Sequence, residues 1–207
     1  MAALGACWRP VAARAMARAA VRAGARCQPS AGRCPVVAST REGSSLARAV
    51  RPVPIRVLTI TKKNSKGAAL MADEYAAKVK NYAKFEEVQI RPNPKNSSNP
   101  EVQKAAEGER VLKLLTPNDY VVVLDERGKD VTSEGMAKLI ADAGDNGFGG
   151  IVFCIGGPFG HSEEVRQRST KMIRLSKMVL NHQVAHVVLM EQIYRGWTIL
   201  RGEPYHH

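Results

Sequence analysis

From Val53 onward the apolar positions change period again and again. Ile55–Ile60 is an unbroken β-branched run and reads as a strand, whereas in Gly67–Ala83 Leu70, Met71, Tyr75, Val79 and Tyr82 recur at helical spacing. Phe85–Ile90 alternates in part and predicts a second strand. The polar stretch Pro92–Pro100 holds three prolines and three asparagines and reads as a long loop. Pro100–Leu115 predicts a helix with Asn99 as its N-cap and proline in first position. Tyr120–Asp125 is an apolar strand, Thr132–Ala143 a helix capped by Thr132 or Ser133, and Gly150–Ile155 a buried strand. His161–Thr170 reads as a polar helix opened by Ser162, Met172–Ser176 as a short β-like piece, and Gln183–Leu200 as the longest helix. Strands alternating with helices predict an α/β fold with a mostly parallel sheet covered on both faces.

The residues before this pattern are of another kind. The chain has 207 residues and a net charge of +12, of which residues 1–50 carry +7 through eight arginines, no lysine and a single acid, Glu42. An Ala- and Arg-rich, acid-poor start is the composition of an organellar transit peptide, for chloroplast or mitochondrion, and the arginines interrupt every stretch that a secretory signal would need. A basic arm for nucleic acid is the other reading of the same charge. Residues 51–207 are expected to form one domain, and no apolar run approaches the roughly 20 residues of a membrane span. Cys7, Cys27 and Cys34 fall in the leader. Cys154, alone in the domain and inside Ile151–Ile155, reads as a small buried hydrophobe rather than a nucleophile.

Candidate chemistry gathers in the last third. Gly156, Gly157 and Gly160 follow a strand and precede a helix, where glycine lets a ligand approach the main chain. The spacing and the absence of a later strand-end acid exclude the dinucleotide fingerprint. Leu124, ending the third strand, offers an apolar wall; Asp125 and Glu126 read as solvated loop acids, with a ribose contact as the alternative. His182 and His186 have the spacing of a zinc-protease helix, but Gln183 stands where that chemistry needs a glutamate base and no third ligand is evident, so no metal is expected. His182 is expected to cap the helix and His186 to lie at the surface. Val187, Val188, Leu189, Met190, Ile193, Tyr194, Trp197 and Leu200 cover more than one narrow stripe, which predicts packing on the sheet and on a second subunit. The tail, Tyr205-His206-His207, can stack on bases, donate to phosphate or accept a proton.

These motifs together carry a resemblance. Leu124, Ile155-Gly156-Gly157-Pro158-x-Gly160, Leu175-Ser176-Lys177-Met178, His182-Gln183, Glu191-Gln192-x-Tyr194-Arg195 and Tyr205-His206 resemble the ribosomal large-subunit methyltransferase H family, small knotted methyltransferases of the SPOUT class, over residues 55–207. The resemblance implies a SPOUT α/β-knot in which the C-terminal segment threads a loop as a trefoil. It also implies a homodimer through the last helix and methylation of N3 of a pseudouridine in large-subunit rRNA, free or in the assembled ribosome. S-adenosylmethionine would be held by Leu124, Gly157, Leu175, Ser176, Lys177, Met178, Val179 and Leu180. His206 or His207 would take the N3 proton, with Tyr205 in the same arm and Arg195 or Lys177 steadying the anion or holding phosphate. Asn181 stands where the family usually has proline and His186 where it usually has arginine. A methyltransferase for another structured RNA, or a non-catalytic ribosome-associated RNA-binding factor, are the other readings.

Overall fold

The computed structural model describes residues 50–61, 65–92 and 99–205; all of the expected leader but Val50, and the two terminal histidines, lie outside the described residues. Five strands alternate with five helices: β1 (Ile55–Ile60), α1 (Lys66–Val79), β2 (Phe85–Ile90), α2 (Pro100–Leu114), β3 (Asp119–Asp130), α3 (Ser133–Asp145), β4 (Gly150–Ile155), α4 (Glu163–Arg168), β5 (Lys171–Arg174) and α5 (His182–Arg201). The strands form one parallel sheet in the order β2-β1-β4-β3-β5.

Side-chain alternation along the strands divides the core in two. Ile55, Val57, Tyr120, Val122, Ile151 and Phe153 point to the face covered by α1, α3 and α5, where Trp197 and Met136 are fully buried. Leu58, Ile60, Val121, Val123, Val152 and Cys154 point to the other, covered by Val111 of α2 and Val165 of α4. α5 lies between α1 and α3, so most of the apolar girth that suggested a second subunit is used inside the chain. Gly196 makes this possible: a Cβ there would come within 3.0 Å of Ile140 Cδ1 on α3. Val184 remains half exposed, beside Leu70 and Met71 of α1 as other large hydrophobes left in water.

Several boundaries differ from the sequence reading for identifiable reasons. Asn99 caps α2 and Thr132 caps α3. His182 is the first residue of α5 and not its cap: Asn181 Oδ1 accepts from the Gln183 N–H at 2.9 Å. An asparagine where proline would be usual therefore satisfies an otherwise orphan helix donor. α4 is only six residues long, and the Ser162 hydroxyl, packed against Gly108, does not cap it. β3 runs on past Asp125 to Asp130, because β5 pairs with it twice. Ile173 lies opposite both Leu124 and Lys129, so the chain from 125 to 128 bulges around the Ile173 backbone. Gly128 sits directly on that backbone, where any Cβ would collide.

Candidate cofactor-binding site

β3, β4 and β5 end side by side, and a cleft of about 910 Å³ opens beyond their carboxyl ends. Leu124 ends the β3 wall and Ile155 the β4 wall; the far side is the loop Leu175–Leu180, which leaves β5 and leads into α5. All eight residues expected to hold a cofactor line this one cleft.

The glycine turn forms its lip. The Gly160 N–H donates to Gly157 O at 3.0 Å, closing a four-residue turn with Pro158 in second position, and Gly160 has φ +77°. A Cβ on Gly157 would stand 2.9 Å from Glu107 Oε2. Glu107 is a buried carboxylate on α2 whose Oε1 accepts from Gln103 Nε2 at 2.6 Å. Its Oε2 has no hydrogen-bond partner among the described residues. Sequence reasoning passed over this acid; the one available signal was its place four residues before the buried Val111 on the same helix face.

The opposite wall is apolar yet wet. Met178 and Val179 are 74% and 87% exposed at the cleft, in a loop held by the Met178 N–H donating to Ser176 Oγ at 3.0 Å. Bare glycine main chain facing exposed aliphatic side chains suits a ring that needs apolar contact on its faces and backbone polar groups at its edge.

Titratable groups at the strand ends have structural duties. Asp125 is not the solvated acid expected from sequence: its side chain is almost wholly covered and pairs with Arg166 at 3.0 Å. Burial pushes its carboxyl up, but the Arg127 N–H and the Arg166 guanidinium outweigh this and hold it below the ordinary range. His161 is buried beneath the turn, its Nε2–H donating to Cys154 O at 3.2 Å, and burial drives it down to about 4, so it is neutral at physiological pH. The Cys154 thiol, fully buried, is pushed up to about 12, as befits a core hydrophobe.

The two histidines of α5 serve different neighbours. His182 Nε2 lies 3.5 Å from Thr61 Oγ1. His186, expected at the surface, is buried where α5 crosses the sheet edge; its Nε2 lies 3.4 Å from Glu87 Oε1 and holds that carboxyl below its ordinary range.

Arg195 and Tyr205 are not brought to the cleft. Arg195 is thirteen positions after His182, roughly 20 Å along α5. Its guanidinium donates to Glu191 Oε1 at 2.9 Å and lies over the Tyr205 ring, 4.8 Å from its centroid. Tyr205 also packs edge-on against Tyr194, with centroids 4.8 Å apart.

A parallel α/β sheet with a glycine-lipped, apolar cleft beyond its central strand ends defines a protein that binds a nucleotide-like cofactor at the carboxyl edge of the sheet. Residues 53–206 match the family model described as "Predicted SPOUT methyltransferase", and the chain belongs to this family. It is similar to the "Putative RNA methyltransferase At5g10620" of Arabidopsis thaliana, 54% identical over 77% of this chain and 83% of that one. It is also similar to "Ribosomal RNA large subunit methyltransferase H" of Geotalea daltonii, 39% identical over 74% of this chain and 99% of the relative, and to the protein of the same name from Christiangramia forsetii, 39% identical over 74% and 98%. The chain is thus a methyltransferase and its cofactor is S-adenosylmethionine; the cleft lined by Leu124, Gly157 and Leu175–Leu180, apolar with bare glycine main chain, has the chemistry such a group needs.

Proposed function

We propose that the protein methylates N3 of a pseudouridine in the large-subunit rRNA of an organellar ribosome. The observation that carries this reading is the meeting of Leu124, the glycine turn and the Leu175–Leu180 loop in one cleft, in a chain similar along most of its length to proteins named for large-subunit rRNA methylation. The acid-poor, arginine-rich residues 1–50 support an organellar address, chloroplast or mitochondrion. The bulge of 125–128 around Ile173 supports a loop through which the C-terminal segment passes as a trefoil knot.

S-adenosylmethionine supplies a methyl group on a positive sulfur, electrophilic enough to need no metal. Methylation of N3 would require loss of the N3 proton, so a positioned base and a cationic neighbour on this chain would assist the transfer. Within one chain, Arg195 and Tyr205 stand a helix length from the cleft, which supports a tail that serves the cleft of a second copy. A homodimer through α5 provides that copy, with His206 or His207 taking the proton and Arg195 or Lys177 balancing the anion. The modest charge of residues 51–207, +5, suits docking on an assembled ribosome better than gripping naked RNA.

Mass mapping of modified nucleotides in organellar and cytosolic rRNA from a knockout tests the reading. Loss of methylpseudouridine from organellar large-subunit rRNA is expected; an unchanged map overturns it. Deleting residues 205–207 is expected to abolish turnover and leave S-adenosylmethionine affinity unchanged, and undiminished methylation by that truncation would remove the tail from the mechanism.

A further inference from the structure

Phe159 is a large hydrophobe 48% exposed on the lip of the cleft. It occupies the third position of the turn closed by the Gly160 N–H to Gly157 O bond. Pro158 before it has a fixed φ, and Gly160 after it has a positive φ. A ring on so short and constrained a turn is presented to solvent and has little freedom to fold back onto the core. A phenylalanine held in water at a cleft rim presents apolar surface that a bound partner can cover.

Charge around the cleft says what kind of partner. Arg166, Arg174 and Lys104 also line it, but each is paired, with Asp125, Asp130 and Glu101 respectively. Arg127 and Lys177 are exposed, line the same cleft and form no salt bridge among the described residues, although Lys177 feels Asp130 and the exposed Glu126 lines the cleft next to Arg127. A fixed aromatic face beside unpaired cations is the arrangement that holds a single nucleic-acid strand: the ring takes a base and the cations take phosphates. A protein partner would need a larger apolar area, and a small anion would have no use for the ring.

We infer that Phe159 is a stacking platform for an unpaired base of the RNA substrate, with Arg127 and Lys177 holding the adjoining phosphates. The inference rests on the proposed RNA methylation and adds to it a substrate-positioning residue outside the cofactor walls. It places the RNA strand across the mouth of the cleft, from Phe159 on the glycine lip towards Lys177 on the facing loop.

The test is methyl transfer from labelled S-adenosylmethionine to ribosomes isolated from the knockout, together with calorimetry of cofactor binding. Phe159→Ala should raise KM for ribosomes about tenfold while kcat and cofactor affinity stay within about twofold. Phe159→Trp and Phe159→Tyr should keep the wild-type KM, because they keep a π face, and Phe159→Leu should behave like alanine. Arg127→Gln should raise KM and reduce by about one the slope of log affinity against log salt. An unchanged KM for Phe159→Ala overturns the inference, as does wild-type behaviour of Phe159→Leu, which would make the contact merely apolar. Weakened cofactor binding by Phe159→Ala would assign the ring to the cofactor pocket, and a changed sedimentation coefficient would assign it to a subunit interface; either overturns the inference. Wild-type protein that methylates no ribosome removes the proposed function and this inference together, whereas active wild type with an equally active Phe159→Ala removes only the latter.

Discussion

The two ends of α5 are built on opposite principles. At its N-terminal end the cleft leaves Met178 and Val179 in water, shows bare glycine main chain and keeps an unpartnered oxygen of Glu107 behind the turn. At the other end the solvent-accessible polar side chains pair with one another, Arg195 with Glu191, Arg195 over the Tyr205 ring, Tyr205 against Tyr194, and Tyr82 with Glu203, while the buried Trp197 Nε1 has no partner among the described residues. The first end is formed in advance for a ligand. The second is satisfied within one chain, and the catalytic role proposed for Arg195 and Tyr205 would require them to exchange those partners. The difference separates the cleft, which one chain's fold builds, from the proposed substrate chemistry, for which a second copy is proposed.

The largest effect expected from breaking the comparison comes from the core side of the helix, near its C-terminal end. Trp197 is wholly buried and stacks on Tyr82, with centroids 5.9 Å apart. Trp197→Ala should cost about 3–5 kcal/mol in denaturant unfolding and degrade both ends together. Loss of one end alone would show that α5 does not link them.

Next is the buried histidine under the glycine lip. His161 has its ordinary value near 6.5 in the unfolded chain and about 4 in the fold, so between those values the unfolded chain binds the extra proton. Stability should therefore fall as pH drops from about 6.5 to about 4, by about 3 kcal/mol in total, and level off below. His161→Gln should flatten that part of a Tm-against-pH curve. Asp125, whose carboxyl is depressed, contributes stability above its unfolded value near 3.8 and loses it only in stronger acid. An unaltered curve for His161→Gln would show that the lip is not held by a neutral imidazole.

Gly157→Ala places a methyl group 2.9 Å from Glu107 Oε2 and should cost about 1–3 kcal/mol of stability while weakening S-adenosylmethionine binding in calorimetry. Adding Glu107→Ala should recover part of the cofactor affinity, since it removes the colliding atom. No recovery would mean that the glycine is needed for the ligand's approach and not for the carboxylate behind it.

The smallest effect belongs to the satisfied end. Glu191→Gln breaks the half-buried pair with Arg195 and should cost no more than about 1 kcal/mol, leaving cofactor affinity unchanged. Turnover should nonetheless change, because Arg195 and Tyr205 are released from each other's company. Unchanged turnover would show that these residues stay in their present arrangement during the reaction.

Much of this frame could be read from residues. β1, β2 and β4 have the limits that their apolar runs predict, and Asn99 and Thr132 cap the helices they precede. The residues that line the cleft were singled out through the family resemblance, and periodicity alone would have left Leu175–Leu180 an unexplained apolar loop. What was not legible depends on partners far along the chain. Residues Glu126–Asp130 look like polar loop, yet β3 extends through them because β5 pairs there. His186 looks like a surface residue until Glu87 of the edge strand is seen beside it. Asp125 looks solvated until Arg166 of α4 covers it.

The amino-acid pattern by itself determined the alternating α/β order, the two-faced strands and the glycine turn, because period, capping and backbone freedom are local properties. Only the tertiary structure decided that the turn, Leu124 and the loop after β5 share one cleft, that Glu107 stands behind the turn, and that Arg195 and Tyr205 stand apart from it. Those relations follow from strand order and from the way α5 packs between α1 and α3, which no short window of sequence contains.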